Sequence, residues 1–126
     1  MVIGNATNNR LFTYSVSGID GKTTGSTLLF TPISQFTPVS VTTELNSVSG
    51  FVTVASYSIG TNGASYNNIL GISALTGVLA ANNLLNFPVV TLVSSVASGT
   101  GIYVNITSGA VATTYVLKVS ITGFYD

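Results

Sequence analysis

The stretch Thr114-Tyr-Val-Leu-Lys-Val-Ser-Ile-Thr122 decides how the rest of the chain is read. Its side chains alternate in character: Tyr115, Leu117, Val119 and Ile121 share one parity, while Val116, Lys118, Ser120 and Thr122 share the other. Successive side chains of a strand point to opposite faces, so this period predicts a strand with one face in a core.

The same signal recurs on the N-terminal side. In Ile102–Thr107, Ile102, Val104 and Ile106 alternate with Tyr103, Asn105 and Thr107, and in Phe51–Ile59 the residues Phe51, Ala55, Tyr57 and Ile59 fall in one register. Further strands are predicted at Leu11–Ser17, Thr27–Thr31, Pro38–Leu45, Tyr66–Ile72 and Phe87–Val96. Between them lie Gly18–Gly21, Asn46–Gly50, Gly60–Gly63, Ser98–Gly101 and Ser108-Gly109, clusters whose residues tolerate positive φ or bond their own backbone. Ala74–Leu85 alone has helical propensity, enough for one short helix or turn. About eight short strands at this spacing predict an all-β, single-domain antiparallel β-sandwich, jelly-roll-like, with an immunoglobulin-like sandwich as the alternative. The sandwich is expected over residues 10–126, preceded by a polar segment, 1–9, that suits an extended arm.

Composition narrows the function. Of 126 residues only Arg10, Asp20, Lys22, Glu44, Lys118 and Asp126 are charged, with zero net charge and no Cys or His. An average domain is about a quarter charged. Without Cys or His the chain has no thiolate or imidazole for redox or zinc chemistry. Near-zero net charge removes the repulsion that keeps copies apart and favours association. The most apolar window, Ile69–Val93, is interrupted by Asn82, Asn83, Asn86, Gly71, Gly77 and Pro88 and does not read as a membrane helix. The first ten residues, MVIGNATNNR, do not read as a secretory signal. A hydrophobic content of 46% is too high for a disordered chain.

Few residues could do chemistry. Asp20 sits in Gly18-Ile-Asp-Gly21, where an Asp ordinarily bonds its own backbone, and Glu44 reads as a solvated edge charge at a strand end. A glycosidase would need both carboxylates to flank one cleft. Gly18–Thr24 lacks the first glycine of a phosphate-binding loop, since Val16 stands there. Gly99-Thr-Gly101 lacks the third glycine of a dinucleotide loop and reads as a hairpin turn. No Gly-x-Ser-x-Gly occurs, and a serine nucleophile would have no His. Three scattered bases do not make a nucleic-acid surface. Asn5-Ala-Thr7 and Asn105-Ile-Thr107 match the glycosylation pattern, as chance allows in a chain rich in Asn, Ser and Thr. Among the six Tyr and six Phe, Tyr57, Tyr115, Phe51 and Phe87 fall in apolar strands and are expected in the core and not on a sugar-binding platform. No catalytic, cofactor-binding or metal residue is therefore assigned, no interface residue is singled out, and no enzyme activity, cofactor, nucleic acid or membrane is expected.

Three segments together carry a likeness: Tyr57–Ile69, Leu75–Asn83 and Thr114–Tyr125. Over about residues 51–126 the chain resembles the small jelly-roll virion proteins of tailed bacteriophages, most closely capsid decoration (cement) proteins. The resemblance implies a homotrimer on the capsid exterior, made in the bacterial host cytoplasm, with itself and the major capsid protein as partners. A tail fibre or baseplate receptor-binding domain for host glycans is the alternative, and a bacterial surface or pilus-like module a third. The near absence of titratable groups also predicts little change in stability between about pH 6 and 9.

Overall fold

The computed structural model describes residues 10–76, 80–81, 83–88 and 95–125, with the backbone alone for 84–88. Among these residues eight strands follow in chain order: β1 Leu11–Asp20, β2 Gly25–Phe30, β3 Phe36–Ser49, β4 Ser56–Gly60, β5 Leu70–Ala74, β6 Leu84–Pro88, β7 Ile102–Ser108 and β8 Thr114–Tyr125. They form two four-stranded sheets, β1-β8-β3-β6 (sheet A) and β2-β7-β4-β5 (sheet B). Every pairing is antiparallel.

The first strand pairs with the last, the second with the seventh, the third with the sixth and the fourth with the fifth. That is one long hairpin with its tip at the β4–β5 loop, rolled so that alternate pairs fall in opposing sheets. It is the jelly roll, and not the immunoglobulin-like alternative, whose first two strands are neighbours in one sheet. β8 and β7 occupy interior positions because each pairs on both sides.

The predicted alternation sets the core. Tyr115, Leu117, Val119 and Ile121 of β8 are fully buried, as is Ile102 of β7, with Val104 and Ile106 nearly so. Val41 and Leu45 of β3 meet Ala55, Tyr57, Ile59, Ile69 and Leu75 from the sheet B side of the interior. At one end, rings from four strands interlock. Tyr14 stacks on Phe30 with centroids 4.0 Å apart, Phe30 meets Phe36 edge-on at 5.0 Å, and Phe36 meets Tyr125 at 5.3 Å. The cluster fastens sheet A to sheet B where the chain crosses from β2 to β3.

Several boundaries depart from the sequence reading. Gly18-Ile19-Asp20 belongs to β1, because a bulge between Val16 and Ile19, with Gly18 at φ 72°, lets the strand continue to Asp20. Asn46–Ser49 also remains in strand, paired with Val116–Thr114 across a second bulge, and only Gly50 turns. Regular strand in the Phe51–Ile59 segment begins at Ser56, and Phe51 lies partly exposed against the Tyr115 ring. Tyr66 precedes β5 and sits in a loop at φ 46°. Gly99-Thr-Gly101 leads from sheet A to sheet B and is no hairpin turn. Segment 1–9, Asn5, the Phe87 side chain and most of Phe87–Val96 lie outside the described residues, as do several positions of Ala74–Leu85; no helix occurs among those described.

Candidate functional site

Glu44 corrects the sequence reading most. It lies near the middle of β3, opposite Lys118 of β8 and Leu84 of β6, on the outer face of sheet A and not at an edge. Asp20 ends β1 opposite Val116. Its carboxylate accepts from the Lys22 backbone N–H and the Thr23 hydroxyl, each at 3.0 Å. Those two bonds, the backbone one first, hold its pKa below the ordinary carboxylate value. This is the turn role expected of Asp20.

Asp20 does line an open cleft of about 270 Å³ between β1 and β2, together with Ile19, Thr23, Thr24, Ser26 and Ile106. Glu44 does not reach it, so the two internal carboxylates are not brought to one site. Among the described residues no group of three or more His, Cys, Asp or Glu could hold a metal ion. No described helix is long and apolar enough to cross a membrane. Three tyrosines have raised pKa values. Burial pushes Tyr57 up, and Tyr115 likewise; Tyr14 is pushed up to about 12 by burial and by its hydroxyl contact with Tyr125 at 2.6 Å. The Tyr14 hydroxyl is held by Tyr125 and that of Tyr57 by Thr43.

The surface carries hydroxyls and apolar side chains and few charges. The outer face of sheet A carries hydroxyl rows set by register. Thr13 bonds Thr122 at 2.8 Å and Ser15 bonds Ser120 at 2.7 Å, and β3 continues the rows with Ser40 and Thr42. At the end where β3 finishes, Val52 and Val111 project at 67% and 55% exposure beside Phe51. Backbone bonds between Val52, Thr53 and Val111 hold this apolar knob in place. At the opposite end Leu11, Phe12, Ile33 and Val39 are exposed.

A third feature lies on sheet B. The β4–β5 loop is braced by Asn62, which accepts from the Asn67 and Asn68 backbones and donates to the Asn67 side chain. It sets Tyr66 on Tyr103 with centroids 4.8 Å apart, beside exposed Leu28. The sequence reading missed this pair, although the Asn-rich run Thr61–Asn68 between two strands was the available signal. The tyrosines it did discuss, Tyr57 and Tyr115, are fully buried as expected, whereas Phe51 is not.

No protein-family model matches the sequence, and a search of curated proteins finds no match. Solved structures share the fold. A chain of the cyanophage Pam1 capsid asymmetric unit is similar at TM-score 0.60 and 14% identity, over 94% of this chain and 86% of that one. A chain of the capsid of Helicobacter pylori bacteriophage KHP30 is similar at TM-score 0.60 and 11% identity, over 93% and 89%. A chain of the capsid of Ralstonia phage GP4 is similar at TM-score 0.61 and 10% identity, over 94% and 84%.

Proposed function

We propose that this chain is a non-enzymatic structural protein of a bacteriophage virion, a decoration or cement protein bound as a homotrimer to the exterior of the head. The observation that carries the reading is a jelly roll matched nearly end to end by chains of three phage capsids, with a surface almost free of charge. Its action is mechanical. Apolar ends bury against copies of itself and against the major capsid protein, as in large obligate interfaces. A closed trimer presents three equivalent attachment points, and their joint engagement turns weak single contacts into firm binding.

Imaging of an intact particle that contains the protein tests this. Density for the jelly roll is expected on the outer head shell in hundreds of copies. A few copies at the tail tip would replace the reading with the receptor-binding alternative. That alternative draws on one observation, the half-buried Tyr66–Tyr103 pair, since an aromatic face that solvent reaches stacks on sugar rings.

A further inference from the structure

We propose that Asn62 is a modification site, where the chain attacks its own side chain, and that the folded β4–β5 loop holds this reaction back. Asn62-Gly63 is the one Asn-Gly step in the sequence. Glycine has no Cβ, so nothing beside its backbone nitrogen hinders approach to the preceding side chain. In the reaction the Gly63 nitrogen bonds to Cγ of Asn62, and Nδ2 departs as ammonia with the Gly63 proton. That closes a five-membered succinimide. Water then adds at one of the two ring carbonyls. Opening the Cγ–N bond leaves aspartate, whereas opening the backbone C–N bond leaves isoaspartate, whose main chain runs through Cβ and Cγ. One water enters and one ammonia leaves, with no oxidant or reductant.

The loop latches this chemistry. Asn62 Oδ1 accepts from the backbone N–H of Asn67 at 2.8 Å and of Asn68 at 3.3 Å, and Nδ2 donates to Asn67 Oδ1 at 2.7 Å. The Asn62 carbonyl accepts from the Tyr66 N–H at 2.8 Å. Side chain and main chain of residue 62 are thus both tied to residues 66–68. The succinimide ring contains Cα, Cβ, Cγ and the backbone carbonyl carbon of Asn62, so closing it fixes both χ1 and ψ and expels the donor Nδ2. A local opening of the loop has to come first.

What opens is a strained segment. Ala64 and Tyr66 stand at φ 70° and 46°, a region that residues with a Cβ keep only where surrounding contacts hold them there. The holding contacts are the Asn62 bonds, the Asn68 side-chain bonds to Thr61, and the Ser58 hydroxyl donating to the Ser65 carbonyl at 3.2 Å. Isoaspartate at 62 lengthens the main chain by one carbon just ahead of this turn and displaces the carbonyl that Tyr66 uses. The turn then relaxes, and Tyr66 leaves Tyr103, whose ring centre is 4.8 Å away in the intact loop. Because ammonia is lost, the release is permanent.

The full-length protein tests this in mildly alkaline buffer, with and without guanidinium chloride, followed by mass spectrometry. Cleavage after tyrosine isolates Ser58–Tyr66, in which Asn62 is the one asparagine. The unfolded chain is expected to exchange NH for O in this fragment about tenfold faster than the folded one, the factor that about 1.4 kcal/mol of loop closure supplies. Asn67→Ala, which removes the partner of Nδ2, should speed conversion in buffer and leave it unchanged in denaturant. Gly63→Ala should slow it in both, since a Cβ at 63 meets only the Tyr66 hydroxyl, at an ordinary 3.8 Å. In NMR spectra of the converted protein, contacts between the Tyr66 and Tyr103 rings should vanish while those of Tyr57 and Tyr115 persist. No conversion at Asn62 in denaturant, equal rates in the two solvents, an Asn67→Ala rate unchanged in buffer, or rings still in contact after conversion would each overturn the proposal. If Asn67→Ala does not fold, the ratio of rates between the solvents decides by itself. Failure would leave the capsid reading standing, since that depends on where the protein sits on a particle.

Discussion

The hydroxyls of Thr43 and Tyr57 bond to each other inside the core, one from β3 of sheet A and the other from β4 of sheet B. Both residues are fully buried. The bond ties the two layers at a point surrounded by apolar side chains, where a hydroxyl deprived of a partner bears its full desolvation cost.

Tyr57→Phe removes the Thr43 hydroxyl's partner and should destabilise the fold by about 1–3 kcal/mol. Thr43→Val should act in the same direction. Because each single change strands a group that the other also removes, the double variant should lose less than the two together, with a coupling on the order of 0.5–3 kcal/mol. Urea unfolding of the four proteins measures it; strict additivity would show that the contact carries no energy.

Phe36 and Phe51 should behave oppositely despite their identical chemistry. Phe36 is fully buried among the Tyr14, Phe30 and Tyr125 rings, so Phe36→Ala should cost about 3–5 kcal/mol. Phe51 is 36% exposed, and its replacement by Ala should cost about 1–2 kcal/mol, in line with partial burial. The difference appears as a separation of urea midpoints.

Glycine is required at 109 by close approach. A Cβ there would stand 2.1 Å from the Lys22 carbonyl oxygen, where the β7–β8 loop meets the β1–β2 turn. The neighbouring Ala110 N–H donates to the Gly21 carbonyl at 2.8 Å, so backbone on both sides is committed. Gly109→Ala should cost about 1–3 kcal/mol through overpacking. A Cβ on Gly71 meets nothing within 4 Å, and Gly71→Ala should leave the melting temperature nearly unchanged.

The pH profile of stability should be a plateau with a fall at each end. Asp20 has a lowered pKa when folded, so its contribution is present above the unfolded value of about 4 and is lost as pH falls through the folded one. Tyr14, Tyr57 and Tyr115 have raised values, with burial the first cause in each. For these groups the sign reverses: stability is complete below the unfolded value of about 10 and declines as pH rises beyond it. Thermal melts between about pH 5 and 9 should agree closely, and tyrosinate absorbance should rise in a step that coincides with alkaline unfolding. A loss of stability near pH 7 would contradict the assignment, because no histidine is present to titrate there.

The chain alone determined the strand content, the inward faces of β7 and β8 and the shortage of reactive groups, because each follows from local period or from counting. Side chains alternate across a pleat whatever the strand's neighbours are, so Leu117 and Val119 were assignable before any partner was known. The turn role of Asp20 was equally local, a carboxylate bonding atoms two and three residues ahead. Only the tertiary structure decided which strands lie together. The β1–β8 pair joins residues about a hundred positions apart, and nothing within Leu11–Asp20 encodes that separation. That choice moved Glu44 from an assumed edge to the middle of a sheet. Bulges in β1 and β3 carried these strands through glycine- and serine-rich stretches that read as turns, because cross-strand pairing outweighed local preference there.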